Sequence, residues 1–417
     1  MNLGKKVNVC RMCKSQNIFK FIDLGFAPLT DGILNEVELN EPEVYYPLKI
    51  FQCSTCGLTQ IGYIVNEEIR YGKSFKYESS ITETGKQHYH AMANSICENF
   101  KFPKRSLIVD IGSNVGVLLE AFKQNGMEVL GIEPVPHIAY TACKNNIDTW
   151  DEFFGPKVAR KIIEEKGKAK IITITNVFGH IDYKTKLMEA VEIIMDEDGI
   201  FVIETPYFAD MIQNFEYDKI LHEHTSYDSI KPLVPFFALF DMEIFDVERN
   251  NIQGGSIRVF VARKGKYLIS NNVQQLLTHE EEVGIYNKDK LSEFSLNVKS
   301  HKENFILLLK DLKNKGHRIV GISAPAKGNT ILNYCKIGTE LIDYITEKSE
   351  IKIGHYTPGM HIPIVSEEKL KKDNPSYAII FAWNFAKEIM KNNANFLESG
   401  GKFIIPFPAP HIVDKLD

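Results

Sequence analysis

The chain has 417 residues, too many for one hydrophobic core, and this length predicts about two or three domains. Its composition is that of an ordinary globular protein, with 44% hydrophobic and 25% charged residues. A net charge of -5 gives no general attraction to nucleic acid polymers or to anionic membrane, so neither is expected as a partner. The chain has no apolar run of roughly 20 residues and no signal-peptide core, so a cytoplasmic location is expected.

Two Cys-x-x-Cys pairs open the chain and predict a structural metal site. Each pair can bring two sulfurs to one ion from a tight turn, and two pairs supply the four thiolates of closed, tetrahedral zinc. The alternatives are two unconnected cysteine turns or a redox disulfide, which a reducing compartment disfavours. We expect this site to hold together a zinc-binding domain over residues 1–70, whose short strands need such a staple. The expected zinc ligands are Cys10, Cys13, Cys53 and Cys56.

Strands then alternate with amphipathic helices, which predicts an α/β fold with a parallel sheet flanked by helices. The segment from about Ile220 to Arg263 breaks this rhythm and is expected to add strands to the same domain, over residues 71–275. A long helical region, roughly Leu276 to Lys315, is interpreted as a bridge. A second strand–loop–helix series follows it and predicts a further Rossmann-like α/β domain over residues 276–417.

The loop IGSNVG, which contains Asn114, follows the first strand of this series and has the features of a cofactor-binding turn. Gly112 and Gly116 allow the backbone to approach a ligand closely, and the next helix begins with free N–H groups. Asp110 ends the strand, and Glu133 closes the next strand 23 residues later, where an acid can bind both hydroxyls of an adenosine ribose. The glycines do not form G-x-G-x-x-G, which favours S-adenosylmethionine (SAM) over a dinucleotide. A plain strand–turn–helix corner with a solvated glutamate is the alternative.

Side chains suited to proton transfer or ligand contact occur in four further segments. Two of these, NVFGHI and ILHEHTSYDS, are expected to follow strands, where an open α/β sheet binds ligands. In an extended HEH triplet the two histidines would share one face and the glutamate would point away, although a metal pair there lacks a third ligand. A histidine can remove a proton beside a carbonyl near neutral pH, but each one has a hydrogen-bonded structural role as its alternative. The candidates are Tyr77, His180, His222, Glu223, His224 and Arg258.

The motifs CRMC…CSTCG, VDIGSNVGVLL, NVFGHI, ILHEHTSY, QGGSIRV and GISAPAKGNTILNYC occur in this order. Together they resemble the sugar-nucleotide C-methyltransferases, zinc-containing SAM enzymes of deoxysugar biosynthesis. The resemblance covers essentially the whole chain. It implies an N-terminal zinc-binding domain, a central Rossmann-like SAM methyltransferase domain and a C-terminal Rossmann-like domain. It also implies methylation of a ring carbon beside the keto group of a nucleotide-linked (NDP) 4-keto-deoxysugar.

The resemblance implies roles for individual residues. His224 matches the general base, with Glu223 and His180 in supporting positions and Tyr77 as an active-site tyrosine. The base would leave an enolate, whose oxygen Tyr77 or a protonated His180 could stabilise. The four cysteines match the zinc ligands. The expected cofactor contacts are Asp110, Gly112, Asn114, Gly116, Glu133 and Asn176. The expected substrate contacts are His222, Arg258, Lys327 and Asn329.

One departure and several alternatives remain. Family members usually carry Tyr directly before HEH, where this chain has Leu221, so the sugar, the carbon or the stereochemistry can differ. In GISAPAKGNT, Lys327 and Gly328 lie near a helix N-terminus suited to a pyrophosphate, or form a plain scaffold corner. Alternative functions are O- or N-methylation of a nucleotide-linked sugar, or a non-catalytic binding protein. The sequence does not define the oligomeric state, and a monomer is the simplest expectation.

Overall fold

The computed structural model describes residues 3–70 and 83–415 and confirms the predicted α/β class with its zinc-binding N-terminal region. Elements are numbered in chain order. Alternate residues of the eight-residue strand Tyr46–Cys53 are buried, as in a sheet with one face on a core. The N-terminal elements are β1 (Gly4–Lys6), β2 (Ile18–Ala27), β3 (Tyr46–Cys53), β4 (Thr59–Ile61), β5 (Tyr63–Val65) and α1 (Glu67–Arg70).

The central region is a seven-stranded sheet in which five neighbouring strands are parallel and two further strands are added by antiparallel pairings. Helices cover both faces, so the parallel strands are largely buried, and all five residues of Leu107–Ile111 are buried, including Asp110. The elements are α2 (Glu83–Phe100), β6 (Leu107–Ile111), α3 (Val117–Gln124), β7 (Glu128–Ile132), α4 (Pro136–Lys144), β8 (Thr149–Trp150), α5 (Pro156–Glu165), β9 (Ala169–Thr175), α6 (Lys184–Ile194), β10 (Met195–Pro206), α7 (Phe208–Gln213), β11 (Ser226–Tyr227), α8 (Ile230–Ala238), β12 (Met242–Asn250) and β13 (Ser256–Arg263). The strand order is β12-β13-β10-β9-β6-β7-β8, so the interrupting segment does add strands, as predicted.

The C-terminal region is a second sheet, six-stranded, with only its last strand antiparallel. Its elements and the preceding helices are α9 (Asn271–Val283), α10 (Lys288–Asn314), β14 (Ile319–Ile322), α11 (Ala326–Cys335), β15 (Ile345–Glu347), β16 (Ile364–Ser366), α12 (Glu368–Asp373), β17 (Tyr377–Ile380), α13 (Ala386–Asn392), α14 (Ala394–Glu398), β18 (Lys402–Ile405) and β19 (His411–Val413). The strand order is β16-β15-β14-β17-β18-β19.

The helical bridge is two helices rather than one. Gly284 ends α9 in the left-handed conformation, with φ +77°, where a residue without Cβ is favoured. Asn287 caps α10 by accepting hydrogen bonds from the backbone N–H groups of Asp289 (2.8 Å) and Lys290 (3.3 Å).

The three regions are physically joined. Strand β11 lies after the HEH triplet of the central region, yet it pairs with β4 and completes a four-stranded sheet of order β11-β4-β3-β2. Leu34 and Tyr356 exchange backbone hydrogen bonds between the N-terminal and C-terminal regions. One hydrophobic core includes residues of all three, among them Leu48, Ile172 and Ile345. Within the described ranges, no helix combines the length and the apolar character needed to cross a bilayer.

Candidate active site

The four predicted cysteines converge on one point. Their sulfur atoms all lie within 4.8 Å of one another, with Cys10 Sγ 3.5 Å from Cys56 Sγ and Cys13 Sγ 3.6 Å from Cys53 Sγ. Four thiolates at about 2.3 Å from a tetrahedral ion are about 3.8 Å apart, so this donor set fits zinc.

A cavity of about 370 Å³ lies at the carboxyl ends of the parallel strands of the central sheet. Such an edge is where open α/β sheets bind ligands. Its walls contain most of the residues predicted to bind the cofactor. These are Asp110, Gly112, Asn114, Glu133 and Asn176. Gly116 caps α3 just beyond, with φ +84°, so the glycines of the loop hold conformations that other residues rarely adopt.

Glu133 is clamped by the loop that it faces. Its carboxylate accepts hydrogen bonds from the backbone N–H groups of Asn114 (3.0 Å) and Val135 (3.0 Å) and is 6% exposed. Asp110 is more deeply buried and accepts a hydrogen bond from the Thr173 hydroxyl (2.6 Å). Burial raises the pKa of Asp110 to about 7 and also raises the pKa of Glu133. Each carboxylate oxygen of Glu133 retains a lone pair for a ligand hydroxyl.

The cavity fits SAM on two further observations. Asn176 follows β9 with φ +58°, and its side-chain Oδ1 is buried without a hydrogen-bond partner among the described residues. Ser113 Oγ, in the same cavity wall, is also buried and unpartnered there. Buried polar atoms are normally paired, so these two atoms indicate a polar ligand.

His180 and His224 meet beside this cavity. His180 lines it, at the end of the 3₁₀ turn Phe178–His180 after β9, and the His224 ring packs edge-on against the His180 ring with centroids 5.0 Å apart. The His224 side chain is only half-buried. The segments NVFGHI and ILHEHTSYDS, which are distant in the sequence, therefore meet at one edge of the cavity.

The hydrogen bonding of His224 defines its tautomer. Its Nδ1 lies 2.8 Å from the Lys219 carbonyl oxygen, which can only accept, so Nδ1 carries the proton. In the neutral imidazole, Nε2 is then an unprotonated base. Burial lowers the pKa of His224, which favours this neutral form.

His180 and the HEH triplet differ from expectation in two respects. Burial, with His224, Arg70 and Lys184 nearby, holds the pKa of His180 well below its ordinary value, so its neutral form is favoured over the protonated one considered from the sequence. The triplet follows the 3₁₀ turn Tyr217–Lys219 rather than a strand, and it forms a turn closed by the His224 N–H to the Leu221 carbonyl (3.2 Å). A turn does not alternate faces, so His222 and His224 point to different neighbours.

Glu223 faces the N-terminal domain. It is 2% exposed, and its carboxylate accepts a hydrogen bond from the Thr30 hydroxyl (3.2 Å). Burial, with the Asp31 carboxylate nearby, raises the pKa of Glu223 to about 7. Its side-chain hydrogen bond is thus directed to the domain interface, and the predicted supporting role toward His224 remains a prediction.

His222 and Arg258, predicted to contact substrate, are both engaged inside the protein. His222 has 0% exposure, and its Nε2 lies 3.2 Å from the Tyr46 carbonyl oxygen. Arg258 donates to Glu204 through Nε (3.1 Å) and Nη2 (2.8 Å), and to Glu248 through Nη1 (2.8 Å). Neither position adds support to a role in substrate binding.

The two predicted substrate contacts of the C-terminal domain, Lys327 and Asn329, differ from each other in exposure and in partners. Lys327, at the start of α11, is half-buried, with its Nζ 2.5 Å from Asn384 Oδ1 and 4.9 Å from the centre of the Trp383 ring. Asn329 is 3% exposed and donates to the Thr30 carbonyl (2.7 Å), so it joins two domains. Tyr77 lies outside the described residues.

The sequence did not single out the polar residues that surround these positions. Trp383 donates its indole N–H to Asp218 (2.7 Å), which is 0% exposed and faces Lys327. Arg70, at the end of α1, donates to the backbone carbonyls of His180 (3.2 Å) and Glu223 (3.4 Å). Only long-range folding reveals these contacts. Arg11 is the one such residue with a signal in the sequence, because it lies between the two cysteines of the first pair.

Comparisons with known proteins agree with this arrangement. Family models match in three successive regions: a zinc binding domain at residues 10–71, a methyltransferase domain at 85–244 and a C-methyltransferase C-terminal domain at 251–408. The C-methyltransferase NovU of Streptomyces niveus is 28% identical over 413 residues, which is 99% of this chain and 98% of that protein. This enzyme therefore uses SAM as its methyl donor and binds zinc at the four-cysteine cluster.

Solved methyltransferase structures resemble only part of the chain. The plantazolicin methyltransferase BpumL in complex with SAH is 14% identical, with a TM-score of 0.35, over 43% of this chain and 85% of that one. Magnesium protoporphyrin IX methyltransferase (ChlM) from Synechocystis PCC 6803 with bound SAM is 11% identical, with a TM-score of 0.33, over 43% and 79%. Scores this low carry no inference about function.

The three matched regions occur in one order along nearly the whole chain, and the cysteine cluster and the cofactor cavity lie in the corresponding domains. The chain is therefore a SAM-dependent C-methyltransferase built from a zinc-binding domain, a methyltransferase domain and a C-methyltransferase C-terminal domain.

Proposed function

We propose that this enzyme methylates a ring carbon beside the keto group of an NDP-linked 4-keto-deoxysugar, with His224 as the base. The observation that carries this proposal is the His224 tautomer: Nδ1 is held by the Lys219 carbonyl (2.8 Å), which leaves Nε2 as the basic atom next to His180 and the cofactor cavity. A carbon beside a ketone is acidic enough for such a base, because the enolate places its charge on oxygen.

In this proposal, separate residues bind the cofactor, accept the proton and stabilise the enolate. Glu133 and Asn176 hold the cofactor, which when bound supplies an electrophilic methyl group for the carbon nucleophile. His224 Nε2 accepts the proton from that carbon, and the Lys219 carbonyl stabilises the imidazolium that results. A neutral His180 can donate one N–H toward the enolate oxygen, and Tyr77 is proposed for the same task.

We further propose that the C-terminal domain binds the nucleotide part. Lys327 and Trp383 lie together, and Lys327 supplies positive charge suited to a pyrophosphate. Asn329 would act indirectly, by fixing α11 to Thr30. We also propose a cytoplasmic location, in line with the unbridged Cys97, Cys143 and Cys335 outside the zinc site.

The test is a mass-shift assay with SAM and a panel of thymidine- and guanosine-linked 4-keto-deoxysugars. We expect a gain of one methyl group on carbon, and exchange of the neighbouring proton for deuterium in heavy water. Exchange should be lost in His224→Asn. Methylation of a sugar that lacks the keto group would instead favour O- or N-methylation, and normal proton exchange in His224→Asn would show that another group is the base.

A further inference from the structure

The segments that carry His180 and His224 are tied together through Thr225. The Thr225 backbone N–H donates to the Gly179 carbonyl (2.8 Å), and its hydroxyl lies 2.9 Å from the Gly179 oxygen and 3.0 Å from the Ile181 oxygen. Thr225 has 0% exposure, so water does not compete for these hydrogen bonds. The residue directly after His224 therefore holds the loop on both sides of His180.

The carbonyl of Thr225 is in turn held by the zinc-binding domain. It accepts a hydrogen bond from the Ile61 N–H (3.1 Å) in β4 and another from Arg11 Nη1. Arg11 Nε also lies 3.3 Å from the carboxylate of Asp182, a residue of the cofactor cavity wall. One guanidinium thus contacts the backbone beside His224 and the side chain two residues after His180.

Arg11 lies inside the zinc site, between Cys10 and Cys13. The turn is closed by the Lys14 N–H to the Cys10 carbonyl (3.0 Å), and the Arg11 N–H donates to Gln60 Oε1 (3.0 Å). Metal ligation at both cysteines fixes the backbone from which the Arg11 side chain extends. The side chain is 6% exposed, and its buried charge is paired with the Asp182 carboxylate, while Nη2 has no hydrogen-bond partner among the described residues.

We propose that Arg11 is a positioning residue through which the zinc site sets the relative placement of His180 and His224. Its planar fork can reach the Thr225 carbonyl and the Asp182 carboxylate together, whereas a lysine presents a single ammonium group. The zinc site then has a role beyond holding its own domain, because it fixes the geometry of two imidazoles in the neighbouring domain. The inference rests on the proposed function only for the chemical role of those imidazoles.

The experiment compares Arg11→Met, Arg11→Lys and, as a matched control in the same turn, Lys14→Met. Lys14 is exposed, and its Nζ donates only to the Arg11 carbonyl (2.8 Å) among the contacts described. Four properties are measured for each variant: zinc content, SAM affinity by calorimetry, kcat with KM, and amide hydrogen–deuterium exchange of peptides covering 177–183 and 221–228.

We expect Arg11→Met to retain zinc and SAM affinity, to lose about 10- to 100-fold in kcat, and to exchange faster in both peptides. Arg11→Lys should recover part of both losses, because it keeps the charge. Lys14→Met should match the wild type. Chelation of zinc from the wild type should accelerate exchange in the same two peptides before global unfolding.

Unchanged exchange in both peptides of Arg11→Met, with kcat within two-fold of the wild type, would overturn the proposal. A uniform rise in exchange over the whole chain would overturn it too, because it indicates loss of stability alone. If Arg11→Met does not fold, Arg11→Lys decides by the same criteria. The exchange measurement does not depend on the reaction, so a wrong base assignment, seen as an active His224→Asn, is distinguishable from a wrong role for Arg11.

Discussion

In both the central and the C-terminal α/β domain, a glutamate accepts a backbone N–H group of the first loop, but the surroundings of the two glutamates differ. In the central domain, Glu133 follows the second strand of the motif and accepts the N–H of Asn114 from the first loop. In the C-terminal domain, Glu347 ends β15 and accepts the N–H groups of Ala324 (2.9 Å) in the first loop and Ser349 (3.2 Å). Both acids therefore brace a strand–loop–helix corner.

The surroundings of the two corners differ. The central corner opens into the 370 Å³ cavity, with unpaired Asn176 Oδ1 in its wall. At the C-terminal corner, α11 contacts other domains: Asn329 donates to the Thr30 carbonyl (2.7 Å) and Thr330 to the Ile220 carbonyl (3.1 Å), while Lys327 at the start of the helix is half-buried. Both α/β domains of this chain therefore have a carboxylate clamp, whereas the 370 Å³ cavity with the unpaired Asn176 Oδ1 lies at the central corner.

The largest expected effect comes from removal of the proposed base, His224, which lies beside the cavity of the central domain. His224→Asn should lower kcat by about 10²- to 10⁴-fold, because Asn can keep a hydrogen bond to the Lys219 carbonyl but cannot accept a proton at neutral pH. SAM affinity, measured by calorimetry, should stay within two-fold of the wild type. His411→Asn, an exposed histidine in the C-terminal domain, is the control. A His224 variant with normal turnover would place the chemistry elsewhere.

Paired removal of the two clamping acids compares the corners directly. Glu133→Ala should weaken SAM binding by about 10- to 100-fold, which corresponds to the loss of about 1.5–3 kcal/mol from hydrogen bonds to a charged group. Glu347→Ala should leave SAM affinity unchanged and lower the melting temperature. Calorimetry and thermal melting of both variants give the result. Equal loss of SAM binding in the two would mean that the C-terminal corner also serves the cofactor.

A third test asks whether the C-terminal domain recognises the sugar nucleotide. Lys327→Met should raise the KM of the sugar nucleotide about 10-fold through the loss of one phosphate contact, with SAM affinity preserved. Steady-state kinetics with each ligand varied separately measures this. Lys371→Met, an exposed lysine on α12, controls for net charge. A change in the KM of SAM instead would contradict the assignment of the nucleotide to this domain.

The pH profile of kcat should show a falling acid limb. The pKa of His224 is lowered by burial from its ordinary 6.5, so the imidazole is neutral above that pKa and can accept a proton. Below the pKa it is protonated, and kcat should fall about tenfold for each pH unit. A limb centred above pH 6.5 would contradict a lowered pKa of His224. The profile should be recorded at saturating concentrations of both substrates.

The smallest expected effect concerns stability. The pKa of Asp110 is raised from 3.8 to about 7 in the folded protein, mainly by burial, so ionisation of this carboxyl opposes folding as pH rises through that range. Asp110→Asn should therefore raise the melting temperature without SAM by about a few degrees near pH 8, with the difference vanishing toward pH 4. Calorimetric melting at several pH values measures this. A variant less stable than the wild type at pH 8 would show that the carboxylate makes a favourable contact there.

The sequence predicted the parts of the site that depend on local spacing. The cysteine pairs and the glycine loop with Glu133 were predicted from local spacing, and Asn176 was implied by the resemblance. The structure brings the four cysteines to one point and places Glu133 and Asn176 in one cavity. The strands of the central sheet were predicted from the alternation of strand patterns with amphipathic helices along the sequence.

The remaining contacts depend on partners far apart in the chain, which spacing does not encode. Nothing in the sequence pairs Arg258 with Glu204 or His222 with the Tyr46 carbonyl. From the sequence, Arg258 and His222 were therefore available as substrate contacts. The turn of the HEH triplet was similarly hidden, because short polar segments without periodicity fit a strand, a turn or a loop equally well.

Strand β11 has a consequence for recombination between relatives. Ser226 pairs with Gln60, 166 residues earlier, so the N-terminal sheet is complete only with a segment from the middle of the chain. A chimaeric enzyme that exchanges only residues 3–70 would join an imported sheet to a foreign edge strand next to His224. We expect such hybrids to keep activity only when the donor also contributes the stretch from His222 to Tyr227.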